Sequence, residues 1–262
     1  GRFGHGLPKS SISQTRSFSV FTKNESDTKW RALTVDIDEL IKQNTTQLPF
    51  EKEVTELPEF VENCLSENFS EDKTGTIVVW NNCDRMTWKT DEALRNNLGW
   101  RVSMSYWRNL KTGLIISVLD RKVSPIDPLF LDESCEHVET CDSNNLKAIP
   151  YETWKWPFKV KSEGKEEIIN AEIRMSRFPP KFGSKDGIND PKGKNISIRG
   201  KIMSEHNGIL FYRQGRYIDC MRYIPAEAKK SRQFQSYDAN YKIEVNFPSS
   251  LDESFGISTN KQ

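Results

Sequence analysis

The chain opens with Gly1-Arg2-Phe3-Gly4-His5-Gly6-Leu7-Pro8-Lys9-Ser10-Ser11, a stretch that predicts a glycine turn leading into a helix. Glycine reaches positive φ without strain and lets the backbone come close to a ligand, and a proline suits the first turn of a helix. The amides at the start of such a helix have no intrahelical partner, so they favour a phosphate group. The glycine spacing also fits a flexible linker, and both interpretations stay open from spacing alone.

The sequence that follows the glycines extends this pattern. The segment Gly-x-Phe-Gly-x-Gly-Leu precedes lysine and serine residues and then a strand that ends near Lys23. This order resembles the ATP-lid motif of the GHKL ATPases, the superfamily that includes gyrase B, MutL and MORC proteins, and it is most similar to MORC-like and bacterial ATP-binding proteins. The resemblance covers most of the chain and implies that backbone amides here hold the terminal phosphates of ATP. The residues that it assigns to ATP binding are Gly1, Arg2, Phe3, Gly4, His5, Gly6 and Leu7.

Charge and composition limit the expected partners and compartment. The 262 residues include 38 basic and 37 acidic ones, so the net charge of +1 gives no general attraction to nucleic acid or to an anionic membrane. The sequence has no run of about 18 apolar residues that would predict a membrane span, and its first residues lack the apolar core of a signal peptide. Five irregularly spaced cysteines favour a reducing compartment. We therefore expect a cytoplasmic protein, or a nuclear one in a eukaryote, that does not bind membranes.

Hydrophobic periodicity predicts an α+β chain. The predicted helices include 7–15, 36–44, 60–65 and 90–111, and the predicted strands include 18–22, 33–37, 75–80, 114–119, 208–213, 216–223 and 241–247. The helix over 90–111 has one apolar stripe, formed by Leu94, Leu98, Val102, Tyr106 and Leu110. The strand Gly75–Trp80 is rich in β-branched residues, which predicts a buried strand. In the strand Tyr241–Phe247 apolar residues alternate with Lys242, Glu244 and Asn246, which is typical of a strand with one face in the core.

The resemblance also implies the domain organisation. A Gly-Thr-hydrophobic strand like that at Gly75 closes the ATPase sheet in GHKL proteins, and Val123-Ser124-Pro125-Ile126-Asp127-Pro128 resembles the segment that joins the ATPase domain to the next domain in MORC-like proteins. On this basis residues 1–112 form the C-terminal part of a Bergerat-fold ATPase sandwich. Residues 113–262 form a transducer domain of mixed β-sheet with helices.

Lys261 is the predicted catalytic residue. The order Leu-Asp-Glu-Ser-Phe-Gly followed by Thr-Asn-Lys-Gln resembles the transducer loop that sends a lysine to the γ-phosphate. Chemistry alone favours an ordinary solvated lysine, because long charged side chains are usually exposed. Arg213 and Arg216 flank a predicted hairpin and resemble a Tyr-Arg-x-x-Arg element of the family, although solvent-facing or partner-facing arginines fit the pattern equally well.

The Cys135, His137 and Cys141 cluster does not have the spacing of a zinc site. We predict no metal ligand in this chain. Residues 132–148 should form an exposed, acidic loop. This loop and the Gly/Pro-rich loop over 183–195 should be sensitive to proteases.

The family's other functional residues have no counterpart in this sequence. GHKL enzymes carry a Glu general base, a Mg²⁺-binding Asn and an Asp-x-Gly-x-Gly adenine segment before the lid motif. Because these elements have no counterpart here, we expect the 262 residues alone to lack ATPase activity. The resemblance implies that ATP and Mg²⁺ are the cofactors and that water hydrolyses ATP at its γ-phosphate. It also implies a homodimer that forms when ATP binds. Two alternatives are a non-catalytic interaction module of the same fold and a DNA-acting protein, and the balanced charge gives DNA binding no support.

Overall fold

The chain folds into two compact units, Gly1–Lys89 and Thr90–Gln262. The structure is a computed structural model, and it describes residues 6–65, 74–138, 147–162, 165–180, 182–183, 198–224 and 232–257. Helices and sheets are mixed in both units, so the expected α+β class is confirmed.

The first unit is built on a four-stranded antiparallel sheet with the strand order β3-β2-β1-β4. Its elements in chain order are α1 (Gly6–Gln14), β1 (Ser17–Lys23), β2 (Trp30–Asp36), α2 (Ile37–Lys42), β3 (Lys52–Val54), α3 (Glu59–Leu65) and β4 (Gly75–Asn81). The helices predicted over 7–15, 36–44 and 60–65 are thereby confirmed. Strand β2 ends at Asp36, one residue before its predicted end. Asp36 caps α2 there by accepting hydrogen bonds from the amides of Asp38 and Glu39.

Helix α1 is fixed to strand β4 by side-chain hydrogen bonds. The indole Nε1 of Trp80 donates to Ser11 Oγ at 3.0 Å, and the Thr15 hydroxyl just after the helix donates to the carbonyl of Asn81. Ser11 and Thr15 are both fully buried, which is uncommon for such residues unless they are hydrogen-bonded. The C-terminal half of α1 is therefore held in a defined place relative to the sheet.

Strand β4 is not the buried strand that its β-branched run predicts. It pairs with β1 and lies at the edge of the four-stranded sheet, and none of its residues is fully buried. Trp80 is 40% exposed. The prediction was wrong because β propensity reports a fit to a pleated surface and does not tell a central strand from an edge strand.

The second unit has a six-stranded mixed sheet. Its elements are α4 (Asp91–Ser105), α5 (Trp107–Lys111), β5 (Ser117–Val118), β6 (Arg121–Lys122), β7 (Ile149–Pro150), β8 (Trp154–Ser162), β9 (Lys165–Arg177), α6 (Ile198–Glu205), β10 (Ile209–Arg213), β11 (Arg216–Met221), β12 (Tyr223–Ile224), β13 (Arg232–Gln233) and β14 (Tyr241–Phe247). The strand order is β11-β10-β14-β9-β7, and β8 also pairs with β9. All of these pairs are antiparallel except β10 with β14, which is parallel.

The helix predicted over 90–111 is two helices with a break at Tyr106, whose φ of −119° and ψ of 17° lie outside the helical region. The buried face consists of Ser103, Met104 and Trp107, whereas Leu98 of the predicted stripe is 36% exposed. Residues spaced strictly by four drift around a helix of 3.6 residues per turn, so the predicted stripe does not follow the face that packs on the sheet. The expected strand over 114–119 is reduced to the short β5–β6 hairpin.

The boundary between the units lies before α4 rather than at residue 112. Trp107 donates to Glu244 on β14, and the hydroxyl of Tyr212 on β10 donates to the carbonyl of Met104 at 3.0 Å. Both helices therefore pack in the second unit. Residues from α4 through the sheet also form one core cluster: Met104, Trp107, Ile126, Phe130, Cys135, Val138, Ala148, Phe178, Phe182, Ile202, Met203, Leu210 and Tyr212.

The segment predicted as an exposed loop over 132–148 belongs partly to that core. Cys135, Val138 and Ala148 are each no more than 3% exposed. The acidic residues around them misled the prediction, since a charged loop can carry single apolar side chains that face inward. Residues 139–146 lie outside the described part of the chain, as does most of the 183–195 loop.

Candidate functional site

The predicted phosphate-binding segment runs into the first turn of α1. Gly6 and Leu7 are the first two residues of that helix, and its first turn contains no acidic side chain. Among the residues that the structure describes, none would lie within 4 Å of a Cβ added at Gly6. Gly1, Arg2, Phe3, Gly4 and His5 lie outside the described residues, and so does Lys261; their predicted roles stay predictions.

The hairpin arginines have partners within the second unit. Arg213 makes a two-pronged ion pair with Asp252, with Nε and Nη2 at 2.6 and 2.8 Å from the carboxylate oxygens, and this hydrogen bonding raises the pKa of the arginine. Arg216 lies over the ring of Tyr106, 5.4 Å from its centre. The turn between them has positive φ at Gln214 and Gly215, as a type I′ hairpin requires. Arg213 thus holds the C-terminal segment, the residues that follow β14 and include Asp252, against the hairpin.

The polar side of β14 is buried and carries charge. Lys242 and Glu244 are both fully buried, as is Ser176 on the neighbouring strand, which pairs with Lys242. The alternation of the sequence predicted one core face and one polar face. Both faces of β14 are in fact covered where these residues lie, because the helices of the unit pack on the polar side.

Glu244 is the centre of a buried ion network. Its carboxylate accepts hydrogen bonds from Trp107 Nε1 at 3.3 Å, from the guanidinium of Arg108 (Nε at 3.0 Å) and from Arg174 Nη1 at 3.4 Å. Arg108 also pairs with Glu172 at 3.3 Å. Burial raises the pKa of Glu244, and the two arginines oppose that shift. A buried carboxylate is tolerated only with such complete pairing, so the network fixes α5 on the centre of the sheet.

Asp127 extends this network to the segment after β6. It is fully buried and accepts hydrogen bonds from the amides of Leu129, Leu131 and Asp132 at 2.9–3.1 Å. Arg174 Nη2 lies 3.6 Å from the same carboxylate. The Val-x-Pro-x-Asp-Pro segment, which the resemblance treats as a connection between domains, is therefore a buried part of the second unit's core.

Lys242 forms a second polar cluster at the end of α6. Its ammonium donates to the carbonyl of Met203 at 2.7 Å and to that of His206, where the last carbonyls of a helix lack partners. Burial lowers the pKa of Lys242 to about 7 and that of His206 to about 4. Among the described residues, the buried atoms His206 Nδ1, Asn207 Oδ1 and Ser176 Oγ have no hydrogen-bond partner. The cluster is enclosed by the core, and we assign it a structural role.

The opposite face of the sheet in the second unit exposes aromatic residues. Trp154 and Trp156 on β8 are 59% and 58% exposed, and the register places them beside Ile173 and Ala171 on β9. Tyr241 and Ile149 are also exposed on this face, both beside Arg177. Phe255 of the C-terminal segment stacks on Phe247 at 4.0 Å and packs against a buried cluster of Ala171, Val245, Phe247 and Leu251, so the neighbouring part of this face is covered. We call this surface the open sheet face.

Two members of the cysteine and histidine cluster, Cys135 and His137, lie in the described part of the chain. Cys135 is buried, and burial raises the pKa of its thiol to about 12; Cys141 lies outside the described residues. Those residues hold no group of three or more His, Cys, Asp or Glu side chains able to bind a metal ion.

Comparison with known proteins adds no relative: no protein-family model matches the chain, and no curated protein sequence matches it. Within the described ranges, none of the helices has the length and apolar character needed to cross a membrane.

Sequence reasoning missed the two buried polar clusters. A charged residue at every second position of a strand is the normal pattern of a solvated face, so the sequence around Lys242 and Glu244 carries no signal of burial. Trp107 and Arg108 lie near the end of the helix that the sequence predicts over 90–111. Such a pair suits a partly buried carboxylate as partner, but it does not indicate which carboxylate that is.

Proposed function

We propose that the chain is part of a GHKL-type ATPase that binds ATP and couples nucleotide binding to dimerisation. The observation that carries this proposal is the glycine-rich segment that continues into α1: Gly6 and Leu7 are already helical, and no acidic side chain lies in the first turn. An open helix start of this kind binds anionic groups through its free amides. The resemblance of the whole segment to an ATP lid supports ATP as the anion.

In this proposal the chain contributes phosphate binding and charge neutralisation. Amides of the 1–7 segment hold the terminal phosphates, and Lys261 neutralises the γ-phosphate as water attacks it. Mg²⁺ and the general base belong, by resemblance, to family elements that have no counterpart in this sequence. No donor set that fits a metal ion is present among the described residues.

Titration of the 262-residue chain with ATP, followed through its backbone amide NMR signals, tests the phosphate site. We expect saturable shifts at Gly6 and Leu7 with ATP and much smaller ones with adenosine. The Gly6→Asp substitution separates binding from folding, since a carboxylate at a helix N-terminus stabilises the helix but repels phosphate. The matched control is Gly6→Asn, which adds a similar volume without charge at a position with no close neighbour. ATP binding unchanged by Gly6→Asp would contradict the proposal.

Lys261→Ala tests the catalytic assignment in a protein that also carries the family's base and adenine-binding elements. Loss of one charge stabiliser at a transferring phosphate costs on the order of 3 kcal/mol, or about a hundredfold in kcat. Nucleotide affinity should change far less, since adenine and Mg²⁺ are bound elsewhere. Wild-type turnover in the variant would leave Lys261 as a surface charge.

A second candidate, the non-catalytic interaction module, is favoured by the open sheet face. Contiguous exposed aromatic side chains mark interaction surfaces. The lysines of β8 do not make this face a nucleic-acid site, because side chains alternate along a strand and Lys155 and Lys161 lie on its other side, opposite Glu172 and Glu166 on β9. We therefore propose self-association through this face, with a second copy of the chain as partner.

Sedimentation equilibrium tests the second candidate. Trp156→Glu should shift the protein towards monomer, whereas Ile168→Glu should not, although Ile168 is 67% exposed on the opposite side of the same β8–β9 hairpin. A wild-type protein that is monomeric at all concentrations, with and without ATP, would exclude it. Self-association that needs ATP favours the first candidate, and self-association without nucleotide favours the second.

A further inference from the structure

Strand β4 has a long backbone edge that no other strand among the described residues pairs with. On its inner side it pairs with β1 over all seven of its residues, and the register is continuous. None of the seven residues is fully buried, so the core does not enclose the outer edge. The N–H and C=O groups along such an edge can pair with a further strand.

The outward backbone groups of β4 belong to its even-numbered residues. In an antiparallel pair, backbone groups point alternately towards the neighbouring strand and away from it. The carbonyl of Gly75 accepts a hydrogen bond from the hydroxyl of Thr22 on β1, whereas that of Trp80 accepts from the thiol of Cys83, which follows β4. A carbonyl with this one weak donor can accept a second hydrogen bond. The residues that face outward with their backbone are Thr76, Val78 and Trp80.

Strand β4 lacks the features that prevent strand pairing at other sheet edges. These features are short length, prolines, bulges and charged side chains, and the sequence Gly-Thr-Ile-Val-Val-Trp-Asn contains neither a proline nor a charge. The other edges of the two larger sheets differ: β3 has three residues, β7 has two, β8 contains Pro157 and three lysines, and β11 carries Arg216 and Asp219. The edge of β4 is therefore the one best suited to accept another strand.

We propose that β4 pairs with the β4 strand of a second copy of the chain and joins the two four-stranded sheets into one. A two-fold axis brings the same surface of both copies together, and it makes the two strands antiparallel. With Val78 on the axis, Thr76 of each copy lies opposite Trp80 of the other. All the outward N–H and C=O groups then meet a partner. This pairing involves neither the 1–7 segment nor Lys261 and does not depend on ATP.

The side chains of β4 favour its own copy as the occupant of the edge. On one side of the joined sheet, Thr76 of one copy would cover the indole of Trp80 of the other, which is 40% exposed. Pairs of an aromatic and a β-branched residue stabilise antiparallel strands. On the other side, Ile77 would lie beside Val79 and bury apolar surface. Because β4 carries no charge, pairing two identical strands creates no repulsion, and a charged strand would find no ion-pair partner.

Amide hydrogen exchange of the 262-residue chain without nucleotide tests this pairing, with sedimentation equilibrium to define the associated and the monomeric concentrations. The amides of Thr76, Val78 and Trp80 should exchange at least about tenfold more slowly in the associated protein than after dilution, because pairing protects them. Ile77 and Val79, whose amides face β1, are internal controls and should exchange slowly at both concentrations. Exchange at the three outward amides that does not change with concentration would overturn the proposal, and this includes a chain that stays monomeric.

Substitutions that block one edge at a time locate the contact. Val78→Pro removes an outward N–H and leaves the ladder with β1 intact, since edge strands tolerate proline at such positions. It should raise the Kd of self-association at least about tenfold. The matched control is Lys159→Pro, at a position of β8 that faces outward as Pro157 does, and it should leave protection of the β4 amides unchanged. Wild-type self-association by folded Val78→Pro would overturn the proposal.

A further variant separates this contact from the open sheet face. Trp156→Glu changes that face and should retain the slow exchange of the outward β4 amides in the associated protein. Loss of this protection in Trp156→Glu would overturn the pairing through β4. The exchange measurements on the wild-type chain and on Trp156→Glu do not depend on whether Val78→Pro folds.

Discussion

At the scale of single residues, Lys242 shows how the fold changes the chemistry of a side chain. The pKa of its ammonium is lowered to about 7 because it is buried, while an exposed lysine has a pKa of 10.5. Between these two values the unfolded chain binds a proton that the folded chain does not. Raising the pH through this interval therefore favours the folded state.

We predict that the free energy of unfolding rises between pH 7 and pH 9 by up to about 1.4 kcal/mol per pH unit through this group. The interval stops at pH 9 because the pKa of the Cys135 thiol is raised from 9.0 to about 12 in the folded state. Above pH 9 this thiol lowers the free energy of unfolding as the pH rises.

Urea unfolding over this range measures the slope. Lys242→Met should flatten it, whereas Lys159→Met, at an exposed position of β8, should not. Equal slopes in all three proteins would show that Lys242 is not buried as a neutral amine.

Glu244 leads to a second prediction at the same scale. Its removal leaves Arg108 and Arg174 without their main buried partner, and breaking a buried ion pair on one side typically costs about 3–5 kcal/mol. Glu244→Gln should therefore lower the free energy of unfolding by an amount of that order in equilibrium urea denaturation. Glu166→Gln, at an exposed position of β9, is the control and should change it by less than about 0.5 kcal/mol. A small effect of Glu244→Gln would mean that the network does not fix α5 on the sheet.

At the scale of elements, helix α4 has a buried face that its sequence pattern does not mark. Met104 is 3% exposed, while Leu98 of the sequence-predicted stripe is 36% exposed. Met104→Ala removes core atoms, so we predict a loss of about 2–5 kcal/mol in the free energy of unfolding. Leu98→Ala should cost clearly less, since half-exposed leucines contribute little packing. Thermal or urea unfolding of the two variants gives the ranking, and the reverse order would restore the stripe that the sequence favours.

At the scale of the whole molecule, the unit boundary at Lys89 predicts which pieces fold alone. A protein of residues 90–262 retains α4 and α5 with their contacts to Glu244 and Tyr212. It should unfold cooperatively and give a dispersed amide spectrum. A protein of residues 113–262, cut at the boundary taken from the sequence, loses Met104 and Trp107 from the core and should be unfolded or aggregated. Circular dichroism with thermal melting compares the two pieces, and a stable 113–262 piece would contradict the assignment of both helices to the second unit.

The local elements of this protein could be predicted from short stretches of its sequence. Glycines and Pro8 marked the start of α1, Asp36 marked α2, and Gln214-Gly215 marked the β10–β11 turn, because caps and turns depend on backbone angles and hydrogen bonds within a few residues. The phosphate-binding hypothesis for Gly1–Leu7 also came from the sequence, and the structure describes only the end of that segment.

The buried faces and the pairing of charged side chains depend on tertiary packing and could not be predicted from the sequence. The alternation in β14 fixes two opposite faces, but α5 and α6 determine that Lys242 and Glu244 lie inside. Partners such as Arg108 and Glu244 are far apart in the chain, so no local pattern relates them. Contacts of this kind depend on how whole elements pack, and burial in turn sets the pKa of each ionisable group.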